Sequence, residues 1–123
     1  MILGLGMDMV EIDRIARSLE RFGDRFLRRL LTPEERAALS PPAAHRVAAR
    51  FAAKEAAVKA LGTGFAGGIG MGHIAVLNTP LGAPEIFFTG PALARMRALG
   101  ASRAHVTLTH SRDAAAAVVI LEA

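Results

Sequence analysis

The chain has no cysteine, no tryptophan and no tyrosine, and only six phenylalanines in 123 residues. Without cysteine there is no disulfide, no thiolate metal site and no cysteine nucleophile. With so few rings, a stacking platform for single-stranded nucleic acid is not supported. No apolar run approaches the roughly 20 residues of a membrane span. The opening Met1-Ile2-Leu3-Gly4-Leu5-Gly6 lacks the length and the charged lead of a signal peptide. A soluble, cytoplasmic protein with no membrane partner is expected. The four histidines show neither H-x-x-x-H nor H-E-x-x-H spacing, so a zinc site is not expected. Ser111 has no G-x-S-x-G setting, which removes the usual serine hydrolase.

What is present is 52% apolar residues, enough for a core of its own, and a formal charge of +4. One domain covering 1–123 is expected. The positive balance favours an acidic or phosphorylated partner. The bland alternative is arginine serving solubility.

The elements read as α+β, with a mostly antiparallel sheet packed against a long helix. Met1 to Gly6 reads as a short strand. Asp8 and Glu11 fit the ends of a capping box for a helix to about Leu30. Arg14, Arg17, Arg21, Arg25 and Arg28 would share one face of it, with Glu20 and Asp24 beside them. The choice there is between a solvated face and a docking surface for an acidic partner. Thr32-Pro33-Glu34-Glu35 is a second helix start, ending before Pro41-Pro42. A long helix is expected from about Ala43 to Leu61, closed by Gly62. A loop with six glycines follows, Gly62 to Gly72. Strands are expected at His73 to Asn78 and Glu85 to Thr89, then a helix from Pro91 to Leu99. Ala104 to Thr109 and Ala114 to Leu121 would make a closing hairpin around Ser111-Arg112-Asp113.

The long helix carries the chemistry. At about 100° per residue, Val47, Phe51, Val58 and Leu61 form one face with Lys54 in its middle. Glu55 and Lys59 sit one turn apart at its edge, in line with Ala48 and Ala52, whose small size would leave clearance for a ligand. Lys54 is expected to pack its stem in the core and send its ammonium outward. Asp8 reads either as a helix N-cap or as a metal ligand with Glu55. Glu55 reads either as that ligand or as the salt-bridge partner of Lys59. Gly62-Thr63-Gly64-Phe65-Ala66-Gly67 fits G-x-G-x-x-G, but a helix precedes it and none follows, so a dinucleotide fold is rejected. His45 reads as a surface residue. The Thr109-His110-Ser111 tip is either a plain turn or a donor cluster for phosphate.

Gly4-Leu5-Gly6-Met7-Asp8-Met9-Val10-Glu11-Ile12-Asp13-Arg14-Ile15 resembles the N-terminal signature of holo-acyl-carrier-protein synthases. Arg50-Phe51-Ala52-Ala53-Lys54-Glu55 through Lys59 to Gly64 resembles their second signature. His105 to Ser111 and the strand ending at Leu121-Glu122 resemble their C-terminal segment. The resemblance implies a 4′-phosphopantetheinyl transferase-like fold and transfer of 4′-phosphopantetheine from coenzyme A to a serine of acyl carrier protein, in support of fatty acid biosynthesis. It implies Mg²⁺ held by Asp8 and Glu55, with Asp8, Glu55 and Lys59 catalytic. It implies coenzyme contacts at Arg50, Lys59, Gly64, Pro84, Thr109 and His110. Its acidic partner would dock on Arg14 and Arg21, and the chain would be a homotrimer with sites between subunits. Two other classes compete: a small basic nucleic-acid-binding module, and a catalytically silent scaffold of the same fold.

Overall fold

The computed structural model describes residues 1–123. In chain order it comprises β1 (Ile2–Glu11), α1 (Ile12–Phe22), α2 (Asp24–Leu30), α3 (Pro33–Ala38), α4 (Ala44–Leu61), a 3₁₀ turn (Met71–His73), β2 (Ile74–Asn78), β3 (Pro84–Phe88), α5 (Gly90–Ala98), β4 (Arg103–His110) and β5 (Ala114–Glu122). β1, β5 and β4 form an antiparallel sheet with β5 in the middle, and β2 pairs with β3 in a second. α4 lies across β1 and β5. Ala115, Ala117, Val119 and Leu121 of β5 face it and are buried, as strand alternation requires.

The first strand is longer than its sequence suggests. Pairing continues without a break from Leu5↔Ile120 to Glu11↔Ala114, so Asp8 sits inside β1 and caps nothing. Glu11 stands at the start of α1 and makes no side-chain cap. The expected single helix to Leu30 is two, because Gly23 between them adopts φ 54°. That positive φ suits glycine and ends a helix. The arginine stripe is therefore divided between α1 and α2. Asp13 pairs with Arg17 at 2.6 Å and Asp24 with Arg28 at 3.0 Å. Arg14, Arg21 and Arg25 instead lie over phenylalanine rings, of Phe51 for the first and Phe22 for the other two. At α3 the Thr32 and Glu35 side chains each bind the other's backbone amide, completing the expected capping box.

The small residues of α4 have a different use from the one expected. Ala48, Ala52 and Ala56 are fully buried. A methyl carbon on Gly6 would stand 1.9 Å from the Ala56 carbonyl oxygen, and one on Gly4 would stand 2.2 Å from that of Ala60. Glycine opposite alanine lets strand and helix backbones touch. The alanine face is thus buried along its length, against β1 at Ala56 and Ala60, and offers no clearance for a ligand. Lys54 also departs from expectation: its ammonium points inward, to a fully buried pair with Glu35 at 2.6 Å.

The outer face of the three-stranded sheet is apolar and open along β1 and β5, while β4 adds His105, Thr107 and Thr109 to it. Met7 of β1 is 60% exposed, and Leu5 and Met9 are equally bare. Each stands opposite a residue of β5: Leu5 opposite Ile120, Met7 opposite Val118, Met9 opposite Ala116.

Candidate active site

The contact of β1 with α4 brings three of the expected residues together. Lys59 Nζ donates to Asp8 Oδ1 at 3.0 Å and to the Met7 carbonyl at 3.1 Å. Lys59 therefore pairs with Asp8, and Glu55 one turn earlier has no ion-pair partner of its own. Partial burial, and then the nearby charge of Asp8, push the Glu55 carboxyl above its usual pKa; Lys59 and Arg14 oppose them. A carboxylate whose proton affinity is raised by the charge of a second one beside it forms, with that neighbour, a hard oxygen donor set. Such a set suits Mg²⁺, which takes one or two carboxylates and completes its shell with water and phosphate.

A second group lies on the other side of α4. A cavity of about 410 Å³ is lined by His45, Arg46, Arg50, Pro84, Thr109 and His110, among others. The His45 and His110 rings are 4.8 Å apart and tilted by 38°. Arg50 donates to the side-chain oxygen of Asn78, whose own amide binds the Gly82 carbonyl at 2.9 Å. Arg50 is 6% exposed, and its Nε is buried without a partner. Burial lowers the guanidinium pKa, Glu35 raises it and Arg46 lowers it further. A buried donor with no acceptor, beside a second arginine and two imidazoles, is chemistry that an anion completes.

Of the expected coenzyme contacts, Arg50, Pro84, Thr109 and His110 line this cavity and Lys59 lies with the carboxylates. Gly64 belongs to neither. It is exposed in the glycine loop at φ 61°, with its amide on the Val58 carbonyl at 3.3 Å. His45, expected to be an ordinary surface residue, is part of the cavity. The available signal was Arg46 and Arg50, like charges one helical turn apart, which repel unless an anion lies between them.

A third concavity of about 490 Å³ runs between α1, α2, Phe51 of α4 and the glycine loop. Its walls are largely apolar, including Phe22, Phe26, Leu30 and Met71, with Arg25 and Arg29 also lining it. Phe51 and Glu55 are four residues apart, so the cleft and the carboxylate share one side of the helix.

Residues 4–119 match the family model described as the 4′-phosphopantetheinyl transferase superfamily. The chain belongs to that superfamily. It is 60% identical over 122 residues to the holo-[acyl-carrier-protein] synthase of Solidesulfovibrio magneticus, covering 99% of each. The fold resembles the crystal structure of holo-[acyl-carrier-protein] synthase from Neisseria meningitidis, with a TM-score of 0.89, 39% identity and 100% of both chains covered. It also resembles the Helicobacter pylori holo-[acyl-carrier-protein] synthase in complex with coenzyme A, with a TM-score of 0.85 and 30% identity over 96% of this chain and 99% of that one. Membership places this phosphopantetheinyl transferase among enzymes, against the nucleic-acid-binding alternative. No helix is long and apolar enough to cross a membrane.

Proposed function

We propose that residues 1–123 act as one catalytic domain that moves 4′-phosphopantetheine from coenzyme A to a serine of apo-acyl carrier protein. The carrying observation is that α4 bears both Glu55 and Lys59, gathered with Asp8 of β1, and the unpartnered buried arginine of the cavity. The serine oxygen attacks the phosphorus that bears pantetheine. The bond from that phosphorus to the bridging oxygen breaks, and adenosine 3′,5′-bisphosphate leaves. Glu55 takes the serine proton, directly or through a water, and its raised proton affinity suits that work. Lys59 meets the charge that grows on the phosphates. Asp8 and Glu55 would hold Mg²⁺, which supplies charge neutralisation across the pyrophosphate when bound. Arg50, His45 and His110 would hold the phosphorylated adenosine end, with Pro84 and Thr109 against it.

The two halves point apart. Arg50 and Lys59 are nine residues apart, about 900° of helical rotation, so they leave α4 on opposite sides. Asp8 lies on one edge strand of the sheet and Thr109 on the other, with β5 between. One copy's cavity can therefore serve another copy's carboxylates. This supports a closed ring of copies, a homotrimer, whose open apolar faces at Leu5, Met7 and Met9 cover one another. The acidic carrier protein would approach over Arg14 and Arg21, since Arg14 stands above Phe51, one turn from Glu55.

Incubation with apo-acyl carrier protein, coenzyme A and Mg²⁺ tests the reading. Intact-mass spectrometry should show one phosphopantetheine gained on the carrier. No gain with several carrier proteins would overturn the transfer.

A further inference from the structure

Lys54 is the largest fully buried side chain in the molecule. All three hydrogens of its ammonium are used: on Glu35 Oε1 at 2.6 Å, the Leu30 carbonyl at 2.6 Å and the Met71 carbonyl at 3.1 Å. Glu35 is equally buried. Its Oε1 also accepts from the Thr32 amide at 2.9 Å, and its Oε2 accepts from the Val76 amide at 2.9 Å. Five hydrogen bonds thus tie α4 to the end of α2, the start of α3, the 3₁₀ turn and β2.

A buried pair of this kind is a weak source of stability, because apolar side chains of similar volume commonly do as well or better. What apolar packing does not supply is direction. The ammonium fixes where two particular carbonyls sit, and both belong to residues lining the apolar cleft, Leu30 and Met71. Phe51, also in that lining, is one turn back on the helix that carries Lys54. Glu55 is the next residue along.

We propose that Lys54 is a positioning residue for transfer: through its bonds to the Leu30 and Met71 carbonyls it sets the spacing of the cleft walls there, and so the seating of the carrier protein beside Glu55. This rests on the transfer reading. Lys54 touches no reacting atom and acts through the two carbonyls. The coenzyme side, at Arg50, Asn78 and the two histidines, is built from the end of β2, β3, β4 and the first turns of α4; Glu35 reaches β2 at Val76, but the Lys54 ammonium and its two carbonyls bond none of the cavity residues. Replacing both members by neutral residues removes Glu35's attraction and Lys54's repulsion on Arg50 together, so the net charge beside it is unchanged.

The test compares wild type with E35Q/K54M, a change that avoids stranding a lone buried charge. Amide hydrogen exchange is expected to quicken at Leu31–Thr32 and Met71–His73 while β5 stays protected. KM for the carrier protein should rise by roughly tenfold or more, the scale on which remote misplacement acts, with KM for coenzyme A within about twofold. E35Q alone keeps both carbonyl bonds of Lys54 but leaves its charge buried without a counter-ion, so it should unfold at lower urea while its carrier KM, measured where it is folded, stays within about twofold of wild type. Unchanged carrier KM in the double variant, or an equal rise for both substrates, overturns the proposal. So does a tenfold rise in E35Q alone, which also serves if the double variant does not fold. A wild-type chain that modifies no carrier sinks the transfer reading itself, and that failure shows before any substitution is made.

Discussion

Replacing Gly6 by alanine tests the contact on which the site depends. The added carbon would lie 1.9 Å from the Ala56 carbonyl oxygen and 2.8 Å from the Ala60 amide nitrogen. Real contacts of this kind stay above 3.0 Å, so β1 and α4 must separate by about 1 Å. Neither partner can give cheaply. The obstructing atoms are helix backbone, and the strand is held in continuous register with β5 from Leu5 to Glu11. Overpacking costs typically about 1–3 kcal/mol, and a backbone clash belongs at the upper end. About 3 kcal/mol corresponds to a drop in Tm on the order of 10 °C for a domain of this size. Asp8 shares the face of β1 with Gly6, so the same retreat carries it away from Lys59 and Glu55. A displacement near 1 Å can reduce turnover by about a hundredfold. Urea unfolding and thermal scans measure the first effect; mass-spectrometric transfer assays under conditions where the variant is folded measure the second. Gly72→Ala is the control, since nothing lies within 4 Å of its added carbon. It should stay within about 0.5 kcal/mol of wild type. A Gly6→Ala protein as stable and active as Gly72→Ala would refute the argument.

Four other outcomes are expected. In metal-free buffer Glu55 is held above its usual pKa, so the stability it contributes is full below the unfolded value near pH 4.5 and is lost as pH rises through the folded value. Glu55→Gln should therefore unfold at higher urea than wild type at pH 7, converge with it below about pH 4, and lose nearly all transfer activity; a less stable variant at pH 7 contradicts the sign. Charge reversal at Arg14 or Arg21 should raise KM for the carrier and leave coenzyme affinity unchanged, measured by steady-state kinetics and calorimetry; a loss of coenzyme affinity would remove them from docking. Met7→Asp should shift light-scattering mass from three copies toward one, because it puts charge on the open apolar face, and an unchanged mass would place the interface elsewhere. Thr32→Ala removes an acceptor from the Glu35 amide and should cost about 1 kcal/mol in urea unfolding, with no change in either KM.

Much of the fold was legible because its signals are local. Thr32-Pro33-Glu34-Glu35 has the chemistry of a helix start, and Gly62 ends α4 at φ 76°, a conformation that glycine adopts freely. β1 was read too short because Gly4, Gly6 and Asp8 are poor strand formers. Its extension comes from pairing with β5, more than 100 residues away. Gly23 gives no warning of its break, because one glycine inside an apolar-periodic run does not announce a positive φ. The resemblance points to Asp8, Glu55 and Lys59, which the contact of β1 and α4 brings together, while the inward pairing of Lys54 leaves no mark in the sequence. Its acceptors, Leu30, Glu35 and Met71, come from three separate segments, two of them backbone carbonyls that leave no mark in sequence.

α4 is buried along one stripe by the cleft and core residues, along another by β1, and along a third by the arginine cavity. A helix enclosed in this way should be apolar all round. Beyond the exposed Arg46, α4 instead carries Arg50, Lys54, Glu55 and Lys59. Each departure has to be matched by a partner. Lys54 has its partner inside the chain, in Glu35 and two carbonyls, and Lys59 has one in Asp8. Arg50 has a partner for one nitrogen only, and Glu55 has none. The two unmatched groups differ by five residues, or about 140° around the helix, so a single compact ligand within one copy cannot satisfy both. An elongated ligand running between copies can, with its anionic end on Arg50 and its reacting end at Glu55. The residual valences of α4 thus favour the same two features, a long phosphorylated donor and a site shared by neighbouring copies.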